Sequence, residues 1–215
     1  MAEIVVMRAV TSDNKLHADN VRKILDDNGV IGLNLMSSPG AGKTTLLEKT
    51  IADNPDIKFG VIEGDVYTAR DADRIEKTGA PSIQLNTEGA CHLTANMVEA
   101  VLPKMNLKEL DILIIENIGN LICPSAFSLG THKRVVLLST PEGGDKVLKY
   151  PAAFHRADAI LVTKTDIADA VGFDMNIVLD DLKSVNPKTE PIAMSVVSGE
   201  GVDGWYKWLR GLLKK

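Results

Sequence analysis

A chain of 215 residues is about one and a half times the usual domain length, so a single domain over residues 1–215 is expected, with residues 1–28 as an N-terminal extension. Its 24 basic residues against 29 acidic ones leave a formal charge of −5, which offers no positive field to a nucleic acid. No apolar run approaches the roughly 18 to 20 residues that span a bilayer, and the start MAEIVVMRAVTSD lacks the pattern of a secretory signal. A soluble cytoplasmic protein with no nucleic-acid or membrane partner is expected.

In chain order, a helical pattern over 14–27 precedes the first apolar run, as an outer helix or a partner-docking arm. Short apolar runs then recur at 31–36, 59–62, 83–85, 112–115, 135–138, 159–162 and 192–194. Helical patterns at 43–52, 69–77, 92–105, 175–184 and 202–213 separate them. Strands alternating with helices predict an α/β fold: a mainly parallel central sheet of about seven strands, flanked by helices on both faces.

Directly after the first run stands Ser37-Ser38-Pro39-Gly40-Ala41-Gly42-Lys43-Thr44-Thr45, and a helical pattern follows. This strand–loop–helix matches the phosphate-binding loop of a P-loop NTPase. Gly40 and Gly42 let backbone N–H groups turn in around phosphates, beside Ser38, Pro39, Ala41 and Thr45. Lys43 can bridge the outer phosphates and Thr44 can ligate Mg²⁺. Ser37 replaces the first glycine of the strict pattern, and it argues against the ATPase subclass with a second lysine near the loop's start. The plain alternative is a glycine-rich turn that binds nothing.

After the run at 159–162, Thr163-Lys164-Thr165-Asp166 resembles the guanine motif N-K-x-D with Thr in place of Asn. The Asp166 carboxylate can accept two guanine N–H groups, which adenine does not offer, while Lys164 covers the base. The alternative is a capped helix start. Ser195 and Val196 open SVVSGEG, a loop suited to present backbone N–H groups to the base oxygen. Two acidic segments close further strands, Glu63-Gly64-Asp65 and Glu116-Asn117-Ile118-Gly119-Asn120. Asp65 and Glu116 are candidates for the Mg²⁺ shell or for positioning a water, against the plain reading of solvated strand-end acids. Gly64 and Gly119 allow those segments to move, and Arg70 and Asp71 read as ordinary first-turn residues.

Two cysteines make no disulfide framework, and both fall at the strand ends of the nucleotide edge. Cys91 and His92 sit at the predicted start of the 92–105 helix, where the helix dipole would favour a thiolate. Two thiolates and an imidazole suit Zn²⁺ or Ni²⁺. Three ligands fall short of a closed tetrahedral site, so water or a second chain would complete it. The alternative is a buried cysteine pair beside a surface histidine.

Together the segments SSPGAGKTTLL, EGDVYTARDADRI, NTEGACHLTANMV, ENIGNLICP, TPEGGDKVLKYP, TKTD and SGEGVDGWYKWL resemble the hydrogenase nickel-incorporation GTPases, relatives of the urease accessory GTPase. The likeness runs from about Gly32 to Leu213. It implies a GTP-dependent homodimer with Cys91, His92 and Cys123 as metal ligands at its interface. It also implies slow GTP hydrolysis that licenses nickel transfer toward the hydrogenase large-subunit precursor, with a small zinc-containing maturation protein as partner. The chain departs from members with N-terminal metal-rich tracts, since before Cys91 it has no cysteine and only His17. Asn96 and Ala100, one and two turns beyond His92, add no ligand. Lys146 and Lys149 either reach a partner's phosphates or are solvated lysines. Two rival readings are a P-loop small-molecule kinase and a non-enzymatic nickel or zinc store. TKTD and SGEG oppose the first, the low ligand count the second.

Overall fold

Unbroken apolar runs have no polar face to turn to water, so a sheet made of them must be covered on both sides. The computed structural model describes residues 8–65, 74–87 and 89–214, with side chains from residue 12 on. Seven strands form one parallel sheet in the order β3-β2-β4-β1-β5-β6-β7. They are β1 (Ile31–Ser37), β2 (Phe59–Asp65), β3 (Ser82–Asn86), β4 (Ile112–Glu116), β5 (Lys133–Ser139), β6 (Ala159–Thr163) and β7 (Ile192–Ala193). Each expected strand is present, most of them a residue or more longer than its apolar run.

The helices are α1 (Arg8–Asn28), α2 (Lys43–Asp53), α3 (Ala95–Val101), α4 (Cys123–Ala126), α5 (Lys146–Lys149), α6 (Pro151–His155), α7 (Met175–Val185) and α8 (Val202–Leu213). The strand period of two sorts the core residues. Leu33, Leu35, Ile114 and Leu137 point to the face covered by Leu46 and Leu47 of α2 and by Trp205 and Leu209 of α8. Their neighbours Leu113 and Ile115 meet Val21 and Leu25 of α1 and Val98 of α3. Farther along that second face, Val136, Leu138 and Val162 meet Phe154 of α6 and Leu182 of α7.

The extension therefore packs as an outer helix from residue 12 on. Arg22 donates from Nε to the Gly130 carbonyl at 2.8 Å and from a terminal nitrogen to that of Thr131. Gly130 has φ 79°, and a Cβ there would run into the α1 backbone at Ala18.

The helix expected over 92–105 is shorter. Thr94 is extended and its hydroxyl accepts from the Met97 N–H at 3.4 Å, which makes it the cap and starts α3 at Ala95. Pro103 has no N–H to continue the ladder, and a 3-10 turn over Leu102–Lys104 closes the segment. Cys91 and His92 thus lie in the loop before the helix, not on its first turn, and Asn96 and Ala100 are not helical turns beyond His92. The helix expected over 69–77 falls largely on residues 66–73, outside the described residues, as do Arg70 and Asp71; residues 74–76 are helical.

Trp205 joins the two ends of the chain's nucleotide half: it is 1% exposed and its indole N–H donates to Thr50 Oγ1 of α2 at 2.9 Å. Truncating a buried tryptophan costs about 3–5 kcal/mol. Trp205→Ala is expected to lose that much stability in urea unfolding; a loss under about 1 kcal/mol would show that α8 stands outside the cooperative core.

Candidate functional site

A parallel sheet sends every strand's C-terminal end to the same edge, and the order reverses around β1, which leaves a crevice there. At that crevice the segment after Ser37 wraps the start of α2. Gly40 and Gly42 have φ of 73° and 95°, values a side chain would resist. Lys43 is 8% exposed; its ammonium donates to Ser37 Oγ at 3.0 Å and stands 3.9 Å from Glu116 Oε1. The serine that replaces the motif's first glycine thus holds the lysine in place. Thr44 Oγ1 donates to Glu116 Oε1 at 3.1 Å, so a hydroxyl from the first turn of α2 and a carboxylate from the end of β4 converge as a Mg²⁺ ion would require.

A cavity of about 540 Å³ opens over this group, lined by Gly40, Lys43, Thr44, Asp65, Glu116 and Lys164 among others. Glu63, Asn117 and Arg74 also face it, and motif reasoning assigned them no role. Glu63 is 3% exposed and paired in register with Glu116 across β2 and β4. Strand alternation is the signal that could have found it, since Glu63 and Asp65 share a face. Arg74 forks onto Glu48 and reaches Thr45 Oγ1 at 3.1 Å.

The residues expected to meet the base line a second cavity of about 120 Å³, with Thr163, Lys164, Asp166, Ser195, Val196 and Val197 in its wall. Gly42, Thr45 and Lys164 line both cavities, so they adjoin around the start of α2. Thr163 Oγ1 donates to the Ala41 carbonyl at 2.9 Å, and Lys164 Nζ to that of Gly40 at 2.7 Å. The TKTD segment is thereby latched onto the phosphate loop. Lys164 has φ 60°, the one non-glycine with positive φ among the described residues. Gly199 donates back to the Ser195 carbonyl at 2.9 Å, which closes the SVVSGEG turn.

Beside the larger cavity, ligand atoms of Cys91, His92 and Cys123 lie within 4.8 Å of one another. Cys91 Sγ is 3.5 Å from His92 Nδ1. The imidazole stacks on Phe127 at 4.5 Å, and its Nε2 is buried without a hydrogen-bond partner. Burial pushes the His92 pKa down, which favours the neutral, metal-binding form. Cys123 beside it raises the Cys91 thiol above its usual value. That opposes the expectation from the helix dipole, because the loop places Cys91 short of the helix. Two thiols and an imidazole nitrogen form a donor set for a soft or borderline divalent ion.

Asn117 joins the two places. It is 1% exposed; its Oδ1 accepts from the N–H of Leu93, next to His92, at 3.1 Å, and its Nδ2 donates to Asn34 Oδ1 of β1 at 3.3 Å. Asn120 Nδ2 donates to the Cys91 carbonyl at 3.3 Å. Gly119 lies against the phosphate loop, where a Cβ would stand 2.9 Å from Pro39 Cα. Lys146 and Lys149, by contrast, both turn onto Asp145 of their own chain, and their contacts hold its carboxyl below the usual range.

Residues 32–193 match the nucleotide-binding domain of the CobW/HypB/UreG family. Over 211 residues the chain is 43% identical to the probable hydrogenase maturation factor HypB of Methanocaldococcus jannaschii, covering 98% of this chain and 96% of that protein. It is 40% identical over 211 residues to the hydrogenase/urease maturation factor HypB of Helicobacter pylori, covering 96% and 87%. Among solved structures, Helicobacter pylori HypB in complex with nickel superposes with a TM-score of 0.89 at 41% identity, over 94% of this chain and 95% of that one. HypB from Archaeoglobus fulgidus gives a TM-score of 0.89 at 39% identity, over 94% and 100%. No helix among the described residues is long and apolar enough to cross a membrane. The chain belongs to the CobW/HypB/UreG family of nucleotide-binding proteins and, within it, to the HypB hydrogenase maturation factors.

Proposed function

We propose that this chain hydrolyses GTP and uses the nucleotide state to govern how it holds and releases a nickel ion on the way to a nickel-iron hydrogenase. The observation that carries the reading is one short segment that serves both places. Glu116 faces the phosphate cavity, Asn117 holds the loop of Cys91 and His92, and Cys123 follows seven residues after Glu116.

In this reading Gly40, Ala41 and Gly42 receive the phosphates with Ser38, Pro39 and Thr45 around them, and Lys43 neutralises the outer charge. Thr44, with Asp65 and Glu116 about it, would hold Mg²⁺, which supplies charge stabilisation at the leaving phosphate. Asp65 or Glu116 also orients the attacking water. Asp166 selects guanine, with Lys164 along the base and Ser195 and Val196 at its oxygen. Cys91, His92 and Cys123 supply three ligands for Ni²⁺ or Zn²⁺, and a GTP-bound homodimer or a water completes the shell. The cargo passes between a small zinc-containing maturation protein and the hydrogenase large-subunit precursor. The nickel complex of the Helicobacter pylori relative supports the choice of metal.

A tenfold difference in metal affinity between nucleotide states needs a coupling of only ~1.4 kcal/mol, and metal must then shift the GTP/GDP preference by the same factor. Titration of Ni²⁺ into protein held with GDP or with a nonhydrolysable GTP analogue, with mass followed in parallel, is expected to give a dimer with the analogue and at least a tenfold change in affinity. Equal affinity in both states would reduce the protein to a plain nucleotide hydrolase.

Lys43→Ala is expected to lose hydrolysis altogether, and wild-type turnover in that variant would refute the phosphate-loop assignment. Hydrogen bonds to a charged group contribute about 1.5–3 kcal/mol. Asp166→Ala should therefore weaken GTP binding roughly ten- to a hundredfold while ATP binding stays level, as read by competition. Cys123→Ala should weaken Ni²⁺ binding and spare GTP; unchanged metal affinity would remove Cys123 from the ligands.

A further inference from the structure

Cys91–His92 and Cys123 come from separate segments, which Asn117 and Asn120 tie together on the nucleotide side; a second tie comes from the N-terminal helix. One side chain of the N-terminal helix touches the framework of both. Asn14 of α1 is 9% exposed. Its Oδ1 accepts from the N–H of Ala95 at 3.0 Å, and its Nδ2 donates to the carbonyl of Ser128 at 2.9 Å. Ala95 stands three residues after His92 and begins α3; Ser128 stands five residues after Cys123 and next to Phe127, the ring on which His92 stacks.

The chemistry at both ends requires an amide. Ala95 is the first residue of its helix, so its N–H has no partner within the helix, and Thr94 serves the Met97 N–H instead. The buried Ala95 N–H needs an acceptor and the Ser128 carbonyl takes a donor in a part-buried bond, and asparagine offers one of each on a single short side chain. Other polar contacts between α1 and the rest of the domain go elsewhere, Asp26 to His132 among them. His17 and Asn20 both reach Glu99, within α3, and Arg22 reaches Gly130 and Thr131. Only Asn14 among these spans from the segment leading out of Cys91–His92 to the segment leading out of Cys123.

We infer that Asn14 is a positioning residue for the metal cluster, and that α1 is part of the support that fixes the spacing of its ligands. This rests on the metal reading of Cys91, His92 and Cys123. Residues that orient metal ligands from behind typically change metal affinity ten- to a hundredfold when removed.

The test compares Asn14→Ala with Asn186→Ala in the full chain. Asn186 is also buried and donates to two backbone carbonyls, Phe154 and Ala157, both at 2.9 Å, away from the cluster. Ni²⁺ is titrated while the thiolate-to-nickel absorption is recorded, and GDP affinity is measured on the same samples. Asn14→Ala is expected to bind Ni²⁺ at least tenfold more weakly with an altered absorption band, and to keep its GDP affinity. Asn186→Ala should melt earlier yet keep the wild-type metal affinity and band. If the alanine variant does not fold, Asn14→Asp takes its place: it preserves volume and the acceptor for Ala95 but sets a carboxylate oxygen against the Ser128 carbonyl. Wild-type affinity and band in the folded Asn14 variant would overturn the inference, and so would equal losses in the Asn14 and Asn186 variants. A wild-type nickel band that survives Cys123→Ala would instead overturn the metal reading and the inference with it.

Discussion

The nucleotide edge is organised around a cation that the fold has nearly removed from water. An ammonium buried as deeply as Lys43 is costly unless a polar group or an opposite charge meets it. Ser37 from the end of β1 and Glu116 from the end of β4 do so, and those two strands are neighbours in the sheet. The same carboxylate accepts from Thr44, so the lysine, the hydroxyl and the acid form one group whose internal balance shifts when a polyphosphate and its cation enter. A triphosphate would compete with Glu116 for Lys43, and Mg²⁺ would compete with the Thr44 hydroxyl for Glu116. Whatever Glu116 does in response is felt at once by the residues that follow it.

Those residues are held from two directions. Asn117 is fixed to β1 through Asn34 and to the Cys91–His92 loop through Leu93, while Gly119 lies too close to Pro39 to admit a side chain. The phosphate loop thus abuts the segment running toward Cys123 at Gly119, and that segment is bonded to the loop before α3 through Asn117. Under the proposed function this gives linkage a material route. The ion and the nucleotide each bias the same backbone, and the reciprocity that thermodynamics demands needs no contact between them.

Much of this was legible in the sequence because the signals were local. The strands announced themselves as short apolar runs, and the phosphate loop as glycines and a lysine between a strand and a helix. TKTD resembles a base motif in sequence, but its latch is not visible there: Thr163 and Lys164 bond to carbonyls of Ala41 and Gly40, over a hundred residues away. Asn14 and Asn117 were invisible for the same reason. A lone asparagine in a helix or after a strand carries no pattern, and its partners become evident only when distant segments meet. The start of α3 was misplaced by three residues because Leu93 fits a helical stripe, although Thr94 is a better cap than either neighbour.

That displacement matters for the chemistry. A cysteine on the first turn of a helix would be a ready thiolate, held so by the backbone even without an ion. A cysteine in the preceding loop, with a second thiol beside it, resists deprotonation. Under the proposed function an arriving divalent cation would have to displace that proton itself, since coordinated sulfur is deprotonated outright. His92 tends in the opposite sense, because burial favours its neutral ring. A site that must first free a thiol of its proton binds less tightly than one whose thiolates are preformed. Under the proposed function the protein gives its ion up again, and a Cys91 thiol held above its usual pKa in the loop before α3 works in that direction.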